Sequence, residues 1–164
     1  MKLRDFLQNW INQSNNTSQS RELMIQGMQG VQEFMRENQI ASLWKQPPTL
    51  YTATLDDALG HGLDIIESFS MLLGMTVNRI GLLCDAETII NTCQTDMPDY
   101  LGMTILQFDS ELALQYISQS LPKKTFFLAG GPLFKNDLDF AQRCGINFVA
   151  KDIFEYIQFL IHHI

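Results

Sequence analysis

The chain has 164 residues, enough for one well-packed α/β domain with a helical extension but short for two independent cores. Hydrophobic residues make up 46% and charged residues 18%, the balance of a globular chain rather than a disordered one. Eleven basic against eighteen acidic side chains leave a formal charge of -7, which argues against nucleic acid, and no apolar run is long enough to cross a bilayer, so a cytoplasmic protein without membrane attachment is expected.

In chain order, Leu3, Phe6, Leu7, Trp10 and Ile11 recur at spacings of three and four and predict a short helix over 3–11. A polar stretch over 13–20 interrupts it. A second helix is expected over 20–38, with Ser18 or Ser20 as its cap and an apolar stripe of Leu23, Met24, Met28, Val31, Phe34 and Met35. Gly27 and Gly30 weaken it locally. The stripe is expected to pack against the domain or against a second copy, which would give a homodimer. Pro47 and Pro48 end helical structure, so residues 1–46 read as a helical extension and 47–164 as an α/β domain.

From Thr49 onward, short β-like runs alternate with amphipathic helical ones. Strands are expected over 49–53, 76–82, 100–106, 125–129 and 147–150, and helices over 63–73, 86–94, 110–120, 136–144 and 153–162. Five strand–helix pairs of these lengths predict a flavodoxin-like (Rossmann-like) doubly wound parallel sheet in a three-layer α/β/α arrangement. Ligands on such sheets bind beyond the carboxyl ends of the strands, so the loops after the strands are where function is sought.

The first of these loops reads Leu55-Asp56-Asp57-Ala58-Leu59-Gly60-His61-Gly62. It resembles the D-x-H-x-x-G signature of the cobalamin (vitamin B12)-binding domain family. Setting Gly62 as the last glycine puts Asp57 on the aspartate and Leu59 on the cobalt-ligating histidine. The same register aligns Gly74 and Gly81 with family glycines around the second strand. Thr104-Ile105-Leu106 resembles the S-x-L motif of the third strand, and Gly130-Gly131 the glycine pair after the fourth. The resemblance implies that Asp57, Leu59, Gly62, Thr104, Leu106, Gly130 and Gly131 surround a cofactor, with its nucleotide tail buried between the first helix of the domain and the sheet. Glycines there would allow close backbone approach to a bulky ligand.

Leucine has no lone pair for cobalt, so the resemblance implies no histidine-on coordination through position 59 and argues against a catalytic corrinoid. His61 is the alternative axial ligand, but placing it on cobalt breaks the glycine register. His162 and His163 sit at the end of the chain and are expected to be frayed and solvent-exposed. Asp56 and Asp57, with Lys151, also resemble the acidic pair and lysine of response-regulator receivers. The third strand decides against that, since Thr104-Ile105-Leu106-Gln107 supplies no phosphorylatable aspartate. No G-x-S-x-G, P-loop, G-x-G-x-x-G or HExxH occurs, and Cys84, Cys93 and Cys144 form no CxxC pair, so they read as buried free thiols.

These observations lead to a non-catalytic sensor or regulatory module on a cobalamin-binding-like fold. Its cofactor would be a cobalamin held without a protein histidine, or none, and it would have a protein partner or a second copy. One alternative is a corrinoid carrier for a separate methyltransferase. Another is a heme-binding sensor using His61, or an interaction scaffold without cofactor. The large residues of the first domain helix, Phe69 among them, are expected to close the tail tunnel.

Overall fold

The computed structural model describes residues 2–14, 21–56 and 60–163. Five parallel strands, β1 (Thr49–Ala53), β2 (Thr76–Gly81), β3 (Tyr100–Thr104), β4 (Phe126–Gly130) and β5 (Phe148–Ala150), lie in the order β2-β1-β3-β4-β5. The chain runs outward from β1 to β2, then crosses back to β3, so the switch point of this flavodoxin-like sheet lies between β1 and β3. Among the described residues seven α-helices accompany it: α1 (Leu3–Ser14), α2 (Arg21–Glu37), α3 (His61–Leu72), α4 (Ala86–Asp96), α5 (Glu111–Ser120), α6 (Phe140–Arg143) and α7 (Ile153–His163). Among the described residues, no helix is long and apolar enough to cross a membrane.

The period-two alternation of the strands sorts their side chains to two faces. Leu50, Leu128 and Ala150 join one core with α1, α2, α3 and α7. Ala53, Leu101, Met103, Phe127 and Ala129 join the other with α4, α5 and α6. Consequently positions 100, 102 and 104 of β3 and 126, 128 and 130 of β4 all face α3 and α7.

The N-terminal helices are built into the first core. Leu3, Leu7 and Ile11 of α1 and Val31 and Met35 of α2 are buried. Trp10 stacks on Phe69 of α3 with ring centroids 5.6 Å apart and meets Phe154 of α7 edge-on at 5.2 Å. The Arg4 guanidinium donates to the Ile161 carbonyl, fastening α1 to the end of α7. Gly27 has a packing reason: a Cβ there would lie 2.0 Å from the Trp10 ring. The apolar stripe of α2 is thus spent largely within the chain.

Several boundaries differ from the sequence reading, and three of them do so for clear local reasons. The helix expected over 136–144 is reduced to Phe140–Arg143, preceded by a 3-10 turn at Pro132–Lys135. The Asp137 carboxylate accepts from the Asp139 amide at 3.2 Å and pairs with Arg143 at 2.7 Å, a turn that competes with helix. β3 stops at Thr104, because the Leu106 amide donates to Asp56 Oδ2 at 2.9 Å rather than to a strand neighbour. β4 is displaced by one residue, ending at Gly130 where the Ile105 amide reaches the Gly130 carbonyl at 2.9 Å. The cap expected at Ser18 or Ser20 lies outside the described residues.

Candidate functional site

Register places Thr104, Gly130 and Ala150 side by side at the carboxyl edge on the α3 face, with Gly102 opposite Thr52 and Leu128 one row below. Two of these positions lack a side chain, so the sheet is hollowed where α3 crosses it. Above the edge lies an open crevice of about 410 Å³. Below it, under α3, a narrow slot of about 40 Å³ continues past Gly102 and Gly130.

The crevice brings together Gly62, Thr104, Leu106, Gly130 and Gly131, five of the residues singled out from sequence. Gly62 sits in the first turn of α3 against β3, and a Cβ there would stand 3.3 Å from Thr104 Oγ1. Gly131 has φ +141, and its Cβ would fall 2.0 Å from the Ile105 carbonyl oxygen, so the neighbouring backbone itself demands glycine. Gly130 is under no such demand, its Cβ meeting the Ala150 carbonyl at 3.4 Å. The glycine pair therefore divides: one member serves strand packing, and the other leaves room in the crevice.

Asp57 and Leu59 lie outside the described residues. His61 opens α3 with its side chain 80% exposed, its Nδ1 4.0 Å from Asp64, and lines neither cavity. The Lys151 ammonium pairs with Glu155 at 3.6 Å, and Asp152 Oδ1 accepts the Glu155 amide at 2.8 Å, so these two rim charges serve the start of α7. Phe69 borders neither cavity. The slot is narrowed instead by Leu63, Ile66 and Tyr156.

Tyr156, which no sequence motif marks, closes one side of the slot. Its hydroxyl lies 2.7 Å from Ser70 Oγ, and Ser70 in turn donates to the Ile66 carbonyl at 2.7 Å. Burial pushes the phenol well above its ordinary pKa, so this wall is neutral. A lone serine in the apolar face of α3 is the signal that could have found the pair. Met24 of α2 also reaches the crevice, so the helical extension contributes to its cover.

The arrangement offers shape and hydrogen-bonding edges rather than a reactive group. Among the described residues no group of three histidine, cysteine, aspartate or glutamate side chains could hold a metal ion. Cys93 and Cys144 are buried thiols pushed up by burial to about 11, and half-buried Cys84 is raised by burial and by Asp85. At neutral pH none is a thiolate nucleophile.

No protein-family model matches the chain, and no curated protein matches its sequence. Solved structures do match. A cobalamin-binding protein from Desulfitobacterium hafniense DCB-2 superimposes with a TM-score of 0.79 at 13% identity, over 99% of this chain and 81% of that one. The monomethylamine corrinoid protein of Methanosarcina barkeri gives 0.63 at 13% identity, over 87% and 68%. A protein of Burkholderia pseudomallei K96243 described as pilus assembly-related gives 0.50 at 18% identity, over 66% and 81%. At these identities the likeness establishes a shared fold, and in the first case one that includes the N-terminal helices.

Proposed function

We propose that this chain, which has the fold of cobalamin-binding proteins, is a non-catalytic corrinoid-binding module with a sensory or regulatory role. The observation that carries the reading is the single crevice in which Gly62, Thr104, Leu106, Gly130 and Gly131 meet from three separate segments. A volume of about 410 Å³ lies within the range of ordinary ligand pockets and is open to one side, which suits the edge of a flat macrocycle. The slot beneath does not suit a nucleotide tail as it stands. At about 40 Å³ it has room on the scale of water, so entry of an aromatic base requires Leu63, Ile66 and Tyr156 to move.

Leu59, by its chemistry, supplies no lone pair to cobalt, and His61 faces solvent outside both cavities. The corrinoid is therefore held by shape and backbone contacts without a protein imidazole, and Met24 of α2 gives cover from within the same chain. The carrier alternative, delivery of a corrinoid to a separate methyltransferase, shares this crevice but has no further observation in its favour. A heme reading would need His61 to turn away from Asp64 and into the crevice.

The test is retention. Purified protein is mixed with hydroxocobalamin, passed through gel filtration and scanned for corrinoid absorbance. Co-elution with a spectrum unchanged by His61→Ala is expected. Protein eluting free of corrinoid would overturn the proposal and leave an interaction scaffold, whereas a spectrum altered by His61→Ala would restore histidine ligation.

A further inference from the structure

The slot beneath the crevice does not match what a complete cobalamin would ask of it. At about 40 Å³ it is far smaller than the roughly 150 Å³ apolar cavity that takes up one benzene ring. The tail of a cobalamin ends in a base of two fused rings on a ribose phosphate, so it could enter only by pushing the walls apart.

Those walls are core. Leu50, Leu128 and Tyr156 belong to the cluster that joins the sheet to α1, α2, α3 and α7, with Ile66 and Phe148 packed against it. Tyr156 is 1% exposed, and its hydroxyl meets Ser70 Oγ at 2.7 Å. Swinging its ring aside would leave a buried phenol hydroxyl unpaired, which costs free energy. It would also press on the rest of α7. That helix is held from outside by α1, through the bond from Arg4 to the Ile161 carbonyl and the edge-on contact of Trp10 with Phe154 at 5.2 Å. On the β5 side, Phe148 is fixed by stacking on Phe159 at 4.5 Å.

The slot is also chemically unsuited to a nucleotide. Among its lining residues only Thr104 and Tyr156 carry a hydroxyl, and none carries a charge. A phosphodiester drawn in there would lose its water with no cation to meet it. On the opposite face of the sheet edge, a second crevice of about 520 Å³ is bordered by Asp56, Asp85 and Asp109 with no lysine or arginine in its lining, and it repels the same phosphate. The upper crevice differs from the slot in size, at about 410 Å³, and in being open to solvent, where a tail can stay hydrated.

We propose that the chain takes a corrinoid by its ring alone and leaves the nucleotide tail in solvent, so that tail-free corrinoids of the cobinamide type bind as well as complete cobalamins. The inference rests on the corrinoid reading of the upper crevice and narrows it: Leu63, Ile66 and Tyr156 are the residues that keep the tail out.

The test has two arms, both on the full chain. In the first, radiolabelled hydroxocobalamin is displaced in equilibrium dialysis by unlabelled hydroxocobalamin and by hydroxocobinamide. Half-displacement by cobinamide is expected at no more than tenfold higher concentration, since a base buried in the slot would add more than that to affinity. A larger excess of cobinamide would overturn the inference and leave the corrinoid reading standing. Absence of any bound label would overturn the corrinoid reading, and this inference with it. In the second arm, the 15N-labelled chain is titrated with the dimethylbenzimidazole riboside that forms the end of the tail. The amides of Ile66, Gly102 and Leu128 are expected to show no saturable shift up to millimolar concentration. Saturable shifts there would overturn the inference whatever the dialysis shows, because the slot would then admit the base by itself.

Discussion

Replacing Gly131 by alanine should be far more damaging than the same change at Gly130, although the two are adjacent and border the same crevice. Gly131 adopts φ +141, a region in which side chains cost about 1–3 kcal/mol. Its added Cβ would also stand 2.0 Å from the Ile105 carbonyl oxygen and 3.1 Å from the Ile105 carbonyl carbon. Both atoms are backbone at the end of β3, tied to β4 through the 2.9 Å bond from the Ile105 amide to the Gly130 carbonyl. The overlap cannot be relieved by a rotamer change, so the combined loss should reach at least about 3 kcal/mol, a large part of the usual 5–15 kcal/mol of domain stability. In a chain of this length that corresponds to a fall in Tm of about 6–12 °C. Gly130→Ala meets only the Ala150 carbonyl at 3.4 Å and should change stability by less than about 1 kcal/mol. Urea unfolding followed by circular dichroism measures both. A Gly131→Ala protein within 1 kcal/mol of wild type, or a Gly130→Ala protein less stable than Gly131→Ala, would refute the account of this pair.

Tyr156→Phe removes the hydroxyl that meets Ser70, but Ser70 keeps its bond to the Ile66 carbonyl, so a loss of about 1 kcal/mol is expected in urea unfolding; a loss above 3 kcal/mol would show that the hydroxyl pair does more than close the slot. Deleting residues 1–46 uncovers the faces of α3 and α7 now buried by Leu7, Ile11, Val31 and Met35, so the remainder should bind a hydrophobic dye and lose cooperative melting; a fragment melting like the full chain would contradict this. Cys93 and Cys144 are raised to about 11 from an ordinary value of 9.0, so their contribution to stability is complete below pH 9 and is lost as pH rises toward 11, with Tyr156 acting in the same direction. The urea midpoint should therefore fall across that window, and a flat or rising midpoint would count against it.

The sheet was legible because each strand carries a short apolar run and is followed by a helix-length amphipathic one, and the observed order of five parallel strands follows that rhythm. The helix over 136–144 was misread because its spacing of apolar residues includes Leu138, which is 84% exposed, while Asp137 holds the chain in a turn through Asp139 and Arg143. The glycine register was partly legible for a reason other than a ligand. Gly74 has φ +100 with its Cβ position 2.5 Å from Ser42 Oγ, and a Cβ at Gly81 would meet Cys84 Sγ at 2.7 Å. Those glycines mark tight places in the fold, and a sequence that keeps them reports the fold before it reports a cofactor. The anchoring role of Asp56 was not legible because its partner, the Leu106 amide, is fifty positions away. Long-range anchoring of that kind leaves no local spacing to read.

Asp56 also explains how one short loop can stand between two crevices. Its Oδ2 holds the amide of Leu106, whose residue borders the first crevice, while the Asp56 side chain itself borders the second. The two crevices lie on opposite faces of the sheet edge but share this one hydrogen bond. Occupation of the second would influence the first only if it changed the Asp56–Leu106 bond, because a ligand shifts an equilibrium only by its differential affinity for two states. Asp56→Asn, which keeps a side-chain oxygen for the Leu106 amide, should accordingly leave corrinoid retention unchanged. Loss of retention in Asp56→Asn would mean that the carboxylate itself, and not only its bond to the Leu106 amide, shapes the first crevice.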